Sequence, residues 1–271
     1  MSANLTFGPP GREWHYSPSS KTYDLSGASS SSSSPRKLTI AATEGPEETL
    51  FTIAPEATAL VIIDMQNFFL DARCMDHPNG LGAVGPTIEV IEKCREAGIQ
   101  IIWLNWGLTD QDLTSMPAGV TRGFMTDILQ PSTSSLHSYT GLGSDLGGGK
   151  GRCLVAGTWN ADIYEPLKAH VQDSDLHCAK NRMSGLWRPE QALWERLGER
   201  EVSTVMFAGV NTDQCVLGTL VDAYNAGWNC ILVDDCCGTT TKGAKEVTLS
   251  NVANCYGFVT DSTSLLAARV G

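Results

Sequence analysis

The sequence is poor in basic residues. Lysine and arginine together number 19, against 30 aspartate and glutamate residues, so the formal net charge at pH 7 is −11. We therefore expect no nucleic-acid partner, because binding to phosphates requires clustered positive charge. Long apolar stretches are also lacking, and no run approaches the roughly 18 residues that cross a bilayer. The sequence therefore predicts no membrane partner.

Targeting and cross-linking signals are lacking as well. The first ten residues have neither the basic nor the apolar segment of a secretory signal. The nine cysteines show no C-x-x-C spacing, and the nearest pair, Cys236 and Cys237, is adjacent in sequence. These features predict reduced thiols and a cytoplasmic protein.

Metal-ligand spacing is the next missing feature. Four of the five histidines show no such spacing: His77, His137, His170 and His177. The glycine-rich stretch Gly147–Gly151 does not fit a phosphate loop. That motif needs glycine at position 144 and serine or threonine after Lys150, and this chain has serine and glycine there. We predict neither a metal nor another cofactor.

The first 45 residues differ from the rest of the chain. Ser29–Ser34 is an unbroken serine run typical of a flexible linker. Aromatic segments at residues 14–16 and 22–25 flank a Pro-Ser turn, which predicts a hairpin or an arm that docks on the body or on a second subunit. Disorder is the alternative, and Leu38–Ala42 is a candidate edge strand. We predict an arm and linker over residues 1–45 and one large domain over residues 46–271.

Apolar runs alternate with helical spacing along that domain. Ala59–Asp64 and Ile99–Leu104 are typical of buried parallel strands, with a helix between them over Val84–Ala97. The same pattern predicts later strands at residues 175–180, 205–208, 228–233 and 258–259. Further helices are predicted at 189–197, 213–226, 242–255 and 261–269, with one through Ile163, Leu167 and Val171. Repeated units of this kind predict a doubly wound parallel sheet.

The connection over residues 107–151 is long and rich in Gly, Ser, Thr and Pro. Connections of this length in compact domains are usually lids, binding loops or partner interfaces.

Three reactive side chains follow predicted strands. Asp64 ends the first strand and Lys180 ends the third, while Cys215 lies just after the fourth. Singly, they could be a helix cap, a surface charge and a core cysteine. Because ligands bind outside the carboxyl ends of strands in open α/β sheets, their joint placement favours a shared site.

Cys215 is expected in the first turn of a helix. Thr212 or Asp213 is placed to cap that helix. At such a position the helix dipole and unpaired N–H groups favour the thiolate.

Three motifs resemble the isochorismatase-like cysteine hydrolases over roughly residues 57–268. They are Leu-Val-Ile-Ile-Asp-Met-Gln-Asn-Phe-Phe around Asp64, Lys-Asn-Arg-Met-Ser-Gly-Leu from Lys180, and Ala-Gly-Val-Asn-Thr-Asp-Gln-Cys-Val ending near Cys215. The resemblance implies a three-layer α/β/α sandwich with a mostly parallel, Rossmann-like six-stranded sheet. It also implies a homo-oligomer, either a dimer or a tetramer, with the N-terminal arm a candidate for the interface.

The resemblance further implies a catalytic triad and an oxyanion hole. Cys215 would attack a C–N bond, Asp64 would take the thiol proton, and Lys180 would favour the thiolate. The peptide bond Val210-Asn211 would be cis, and the backbone N–H groups of Asn211 and Cys215 would bind the oxyanion. The implied reaction is hydrolysis of an amide, ureide or imide through a thioester.

Two other activities of the family are less well matched. Members that cleave the vinyl ether of isochorismate have glycine where this chain has Cys215. The cysteine therefore favours hydrolysis of a C–N bond, and a C–O ether hydrolase is the alternative reaction. Nicotinamidases carry a metal-binding Asp-x-His motif where this chain reads Asn105-Trp106-Gly107. A non-catalytic binding or effector protein is the third alternative. Fast iodoacetamide labelling of Cys215 at neutral pH, slowed by Asp64→Asn, would favour the enzyme.

The substrate pocket is the least determined part of the site. Trp106, Trp159 and Trp187 are candidate walls, and Asn67 and Asn105 are candidate hydrogen-bond partners, although each aromatic residue also fits a packing role. The family's pockets suit small amides, ureides and cyclic imides. The 107–151 connection is the place where a larger natural product would be accommodated.

Overall fold

The computed structural model describes residues 3–27, 36–125 and 141–271. The predicted serine linker at 29–34 and part of the 107–151 connection lie outside these residues. The described chain forms two sheets. The strands are β1 (Leu5–Phe7), β2 (Trp14–Ser17), β3 (Thr22–Asp24), β4 (Leu38–Ala41), β5 (Leu50–Ile53), β6 (Thr58–Ile63), β7 (Gln100–Trp106), β8 (Leu176–Lys180), β9 (Thr204–Val210), β10 (Asn229–Gly238) and β11 (Phe258–Thr260).

The described helices connect and cover these strands. They are α1 (Asn67–Leu70), α2 (Pro78–Gly82), α3 (Val84–Ala97), α4 (Asp110–Thr114), α5 (Ala118–Gly123), α6 (Glu165–Lys168), α7 (Ala192–Glu199), α8 (Leu217–Ala226), α9 (Ala244–Asn251) and α10 (Ser262–Ala267). Short 3₁₀ turns occur at Pro55–Ala57 and Trp159–Ala161, and π-helical segments occur at Thr212–Val216 and Val252–Tyr256. Among the described helices, none combines the length and apolarity needed to cross a membrane.

The main sheet has six parallel strands in the order β11-β10-β9-β6-β7-β8. The predicted doubly wound α/β architecture is therefore confirmed. From β6 the chain winds outward through β7 to β8, and from β9 it winds the opposite way through β10 to β11. Right-handed crossovers place the connecting helices of the two halves on opposite faces of the sheet. The order reverses between β6 and β9, and the carboxyl ends of these strands are where a ligand site is expected.

The strand at the switch point is a run of residues without polar side chains apart from its first threonine. All six residues of β6 are buried, as expected for a strand covered on both faces. α3 begins and ends where its apolar spacing predicts, and Gly98 closes it in the left-handed conformation with φ of +88°. Its buried face packs on the sheet beside α10.

Several predicted boundaries are wrong. β10 continues to Gly238 through a register shift after Leu232, so the two aspartates at 234 and 235 lie inside the strand instead of ending it. The helix expected through Ile163 to Val171 is reduced to α6, because the backbone before it bonds to the loop after β6. The helices predicted from residues 189 and 242 begin later, at Ala192 and Ala244.

The N-terminal region forms a second, five-stranded sheet in the order β1-β2-β3-β5-β4. The predicted hairpin is present as the antiparallel pair β2–β3, and the predicted strand near residue 38 is the edge strand β4 of this sheet. The predicted boundary at residue 45 falls between β4 and β5.

This second sheet docks on the outer strand of the main sheet through aromatic side chains. The rings of Trp14, Tyr23 and Phe51 lie 5.5, 5.3 and 4.9 Å from the ring of Phe258 in β11. Trp14 Nε1 also donates to Asn229 Oδ1 at 2.8 Å. The hairpin is thus an ordered arm that packs on the body, and the disorder alternative is wrong for these residues.

The close approach of β9 to β6 gives a test of the sheet at the switch point. Gly209 has φ of +122°, and a Cβ there would lie 2.0 Å from the backbone oxygen of Ile63. We expect Gly209→Ala to cost about 3 kcal/mol or more through overpacking and φ strain, which lowers the thermal unfolding midpoint by roughly 6–12 °C. Gly198→Ala in α7 is the control, because nothing lies within 4 Å of its added methyl. Equal midpoints for the two variants, measured by circular dichroism, would contradict this packing.

Candidate active site

Asp64 lies immediately after β6, in the left-handed backbone conformation with φ of +54°. Aspartate tolerates this conformation better than most residues. Its backbone N–H donates to Leu104 O at 2.9 Å, which ties it to β7. Its carboxylate is fully buried and its Oδ1 accepts the backbone N–H of Trp106 at 3.2 Å. The end of β7 therefore orients the carboxylate.

Lys180 is the last residue of β8, and its side chain is 1% exposed. Its Nζ lies 2.9 Å from Asp64 Oδ2 and 4.0 Å from the centre of the Trp106 ring. It also donates to the backbone oxygen of Arg182 at 3.1 Å. The ammonium group thus has a carboxylate, a carbonyl and an aromatic face to offset its burial.

Cys215 completes the cluster that the sequence predicted. Its Sγ accepts a hydrogen bond from Lys180 Nζ at 3.4 Å. Cys215 is only 5% exposed. Its S–H donates to Met183 Sδ at 3.3 Å. Met183 is itself 41% exposed, so its thioether covers the thiol from the solvent side.

The local structure around Cys215 differs from the predicted first turn of an α-helix. Residues Thr212–Val216 are π-helical, and α8 begins only at Leu217. The predicted caps are also wrong. Thr212 Oγ1 is buried without a partner among the described residues, and Asp213 Oδ1 accepts from Thr239 Oγ1 at 2.5 Å. The backbone N–H groups of residues 214 and 216 donate to Asn211 O instead.

Burial controls the charge states of this cluster. Burial, with the nearby Asp64 carboxylate as the next largest cause, raises the pKa of the Cys215 thiol to about 12, and Lys180 lowers this pKa by less than Asp64 raises it. Burial also raises the pKa of the Asp64 carboxyl, against the opposing effects of Lys180, Cys215 and the Trp106 N–H. The expected thiolate is therefore not the resting form, because loss of water outweighs the nearby ammonium. The site holds a neutral thiol beside the paired side chains of Lys180 and Asp64.

The peptide bond Val210-Asn211 is cis, as the family resemblance implies. The side chain of Asn211 has a partner that the sequence did not reveal: His77 Nε2 lies 2.6 Å from Asn211 Oδ1. His77 is fully buried, and its Nδ1 accepts the backbone N–H of Gly80 at 2.8 Å. No spacing rule could find this pair, because 134 positions separate the two residues.

The five predicted pocket residues have different surroundings. Trp106 lies against Lys180, and the Oδ1 of its neighbour Asn105 is buried without a partner in the described part of the chain. Asn67 instead donates to the backbone oxygen of Trp159 at 2.9 Å, so its amide is used in holding the loop.

The other two predicted walls make contacts with arginine. The Trp159 ring carries the Arg73 guanidinium at 4.1 Å. Trp187 lies between Arg182 and Arg188 at 4.9 and 4.4 Å and is 36% exposed. Their part in substrate binding remains a prediction.

A cavity of about 990 Å³ lies between the N-terminal sheet and the body, away from the three reactive side chains. Its walls include Trp14, Tyr23, Tyr224 and Tyr256. Within the described ranges, no group of three or more His, Cys, Asp or Glu side chains is arranged to hold a metal ion.

A parallel α/β sheet with a buried carboxylate, ammonium and thiol at the carboxyl ends of its strands is the architecture of a cysteine hydrolase site. A family comparison agrees: the isochorismatase domain model matches residues 58–264. The chain belongs to the isochorismatase family.

The chain is similar in sequence to named relatives and similar in fold to solved structures. The chain is 27% identical to the ureidoacrylate amidohydrolase RutB of Acinetobacter baylyi over 227 residues, which covers 79% of this chain and 84% of that protein. It superposes on a cysteine hydrolase from Pseudomonas syringae pv. phaseolicola with a TM-score of 0.62 at 18% identity, covering 78% of this chain and 92% of the other. N-carbamoylsarcosine amidase from Thermoplasma acidophilum gives a TM-score of 0.55 at 21% identity, with coverages of 76% and 96%.

The raised pKa of the thiol predicts its reactivity, because the thiolate is the form that is alkylated. With a pKa of about 12, we expect Cys215 to react slowly with iodoacetamide at pH 7 and faster as the pH rises toward 12. Asp64→Asn removes a negative charge that raises this pKa. The thiolate fraction at a given pH should therefore rise about tenfold for each unit by which the pKa falls. Both the labelling rate and the effect of Asp64→Asn are the reverse of those expected from the sequence. Because the thiol is buried and protonated, slow labelling does not distinguish an enzyme from a binding protein.

The measurement is peptide mass spectrometry after timed labelling. The exposed Cys255 is the internal control and should react at the same rate in both proteins. Labelling of Cys215 at pH 7 as fast as that of Cys255 would contradict the buried, protonated thiol.

Proposed function

We propose that this protein is an amidohydrolase that cleaves a non-peptide C–N bond of a small amide or ureide, with Cys215 as nucleophile. The observation that carries the proposal is the contact of three side chains at the strand ends: Lys180 Nζ lies 2.9 Å from Asp64 Oδ2 and 3.4 Å from Cys215 Sγ. A nucleophile, a proton acceptor and a fixed positive charge are the groups that acyl transfer from nitrogen requires.

The chemistry follows from the resting charges. Asp64 accepts the thiol proton as sulfur attacks the carbonyl carbon, so the thiolate forms only during attack. The proton then passes to the leaving nitrogen, and the C–N bond breaks to give ammonia or an amine and a thioester. Water hydrolyses the thioester and restores the thiol. The backbone N–H groups of Asn211 and Cys215 are the proposed donors to the oxyanion.

The ion pair has a role in each step. Lys180 opposes the rise in the pKa of the Asp64 carboxyl that burial causes, because an opposite charge nearby favours the charged carboxylate. Its hydrogen bond to Cys215 Sγ also compensates the negative charge that develops on sulfur. Lys180 thus serves the base and the nucleophile together.

The names of the relatives support the ureide class. One relative is named for ureidoacrylate and one structural neighbour for N-carbamoylsarcosine, and both names denote carbamoyl nitrogen compounds. The presence of a thiol at residue 215 weighs against the C–O ether alternative. The close contacts of all three side chains weigh against a binding protein without catalysis.

The test is a screen for ammonia release from amides, ureides and cyclic imides, followed by replacement of the nucleophile. We expect Cys215→Ser to lower kcat at least a thousandfold, because a serine hydroxyl beside Asp64 is far less nucleophilic than sulfur. Cys255→Ser is the matched control, because Cys255 is exposed, and its kcat should equal that of the wild type. Full activity of Cys215→Ser would exclude the proposed nucleophile.

Intact-mass spectrometry of the enzyme quenched during turnover adds a direct check on the thioester. A mass increase equal to the acyl group is expected on the wild type and absent from Cys215→Ser. Cleavage of a vinyl ether without release of nitrogen would favour the C–O alternative. An absence of turnover with every substrate class would favour a binding protein.

We also propose that the chain assembles as a dimer or tetramer through its N-terminal sheet, as a cytoplasmic protein. β1 is an edge strand with two large exposed side chains, Leu5 at 55% and Phe7 at 45%. Unpaired apolar edges of this kind favour pairing with another chain. Light scattering after gel filtration should give a molar mass that is a multiple of 29.1 kDa. The double variant Leu5→Lys, Phe7→Lys should have a lower molar mass. An unchanged multiple in that variant would place the interface elsewhere.

A further inference from the structure

The residue before α2 is a buried histidine whose ring orientation is determined by its contacts. His77 Nδ1 accepts the backbone N–H of Gly80 at 2.8 Å, so this nitrogen carries no proton. The proton of the neutral ring therefore lies on Nε2, which donates to Asn211 Oδ1 at 2.6 Å. His77 is fully buried, so water does not compete for either bond.

This contact fixes the orientation of the Asn211 amide. Because Nε2 of His77 is the donor, the atom that faces it is the oxygen of the amide, and the NH₂ group points the other way. Among the described residues, Asn211 Nδ2 donates to no protein atom, and the residue is partly exposed. The NH₂ group is thus available to a ligand at the turn that carries Cys215.

The segment formed by His77 and α2 also contacts the π-helical residues Thr212–Val216 at a second point. Asn79 Nδ2 donates to Thr239 O at 2.8 Å, and Thr239 Oγ1 donates to Asp213 Oδ1 at 2.5 Å. Gly238 permits this approach, since a Cβ there would lie 2.6 Å from the backbone of residues 79 and 80. The turn between β6 and α3 therefore anchors Asn211 and Asp213, which precede the nucleophile by four and two positions.

We propose that His77 is a positioning residue that holds the Asn211 NH₂ group toward the substrate, where it donates to the carbonyl oxygen of the scissile amide or ureide. The inference rests on the proposed function, and it adds a side-chain donor to the two backbone donors of the oxyanion hole. A donor aimed at developing negative charge contributes most in the transition state, and loss of one such donor costs about 10²–10³-fold in kcat.

Kinetics of matched variants test the role of His77 on the substrate that the ammonia screen identifies. We expect His77→Ala to lower kcat and kcat/KM together, by about a hundredfold. His77→Gln restores an N–H at the position of Nε2 and should recover most of kcat. Asn211→Asp keeps the acceptor for His77 but removes the NH₂ donor, so it should be as impaired as His77→Ala. His177→Ala, at an exposed position of β8, is the control and should match the wild type.

A second measurement does not depend on turnover. The Cys215 thiol adds to the carbonyl of ¹³C-acetaldehyde, with sulfur bonding to carbon and the proton passing to oxygen. The thiohemiacetal oxygen then occupies the position of the oxyanion. We expect its Kd, measured by ¹³C NMR, to rise at least tenfold in His77→Ala and Asn211→Asp and to recover in His77→Gln. Cys215→Ser should give no adduct signal.

The outcomes separate this inference from the proposed function. Weakened adducts in the two variants, with no amide or ureide hydrolysed by the wild type, would refute the function and support the positioning role. Wild-type kcat and Kd in His77→Ala would overturn the positioning role while leaving the amidohydrolase intact. It is also overturned if His77→Ala is impaired and Asn211→Asp is not, or if the wild type neither turns over nor forms the adduct.

Discussion

The buried ion pair between Asp64 and Lys180 is the interaction on which the site depends. Both side chains are at most 1% exposed and their charged atoms are 2.9 Å apart, so neither charge could be buried without the other. The pair spans the end of β7, since β6 and β8 lie on either side of that strand. The register of the strands therefore determines the distance between the two charges. Trp106 lies opposite Lys180 in the β7–β8 ladder, and its backbone N–H donates to the Asp64 carboxylate. A one-residue slip of either strand would turn these side chains to the other face.

Burial also explains why the thiol rests in its neutral form. The same loss of water that strengthens the ion pair raises the pKa of Cys215, and the carboxylate adds to this effect. A thiol in this state is protected from alkylation and oxidation, because these reactions proceed through the thiolate. In the proposed reaction Asp64 takes the thiol proton during attack. In the structure Met183 covers the sulfur, with its Sδ 3.3 Å from Sγ.

The N-terminal sheet extends the fold without reaching this cluster. It packs on β11, at the end of the main sheet opposite β8, through the contacts of Trp14, Tyr23 and Phe51 with Phe258. The cavity of about 990 Å³ lies at this junction. The isochorismatase domain match covers residues 58–264, and all five strands of this sheet precede residue 58. The site itself is built from β6, β7, β8, β9 and the turn before α2.

The sequence alone determined the succession of the six strands of the main sheet, because runs such as Ala59–Ile63 have the composition of strands buried on both faces. It also determined that Asp64, Lys180 and Cys215 share one edge, since parallel strands end together. Only the tertiary structure decided the charge state of the thiol, because burial depends on what packs over Cys215. It also decided the His77–Asn211 contact and the π-helical turn, since these depend on segments that are distant in sequence and meet only when the sheet has formed.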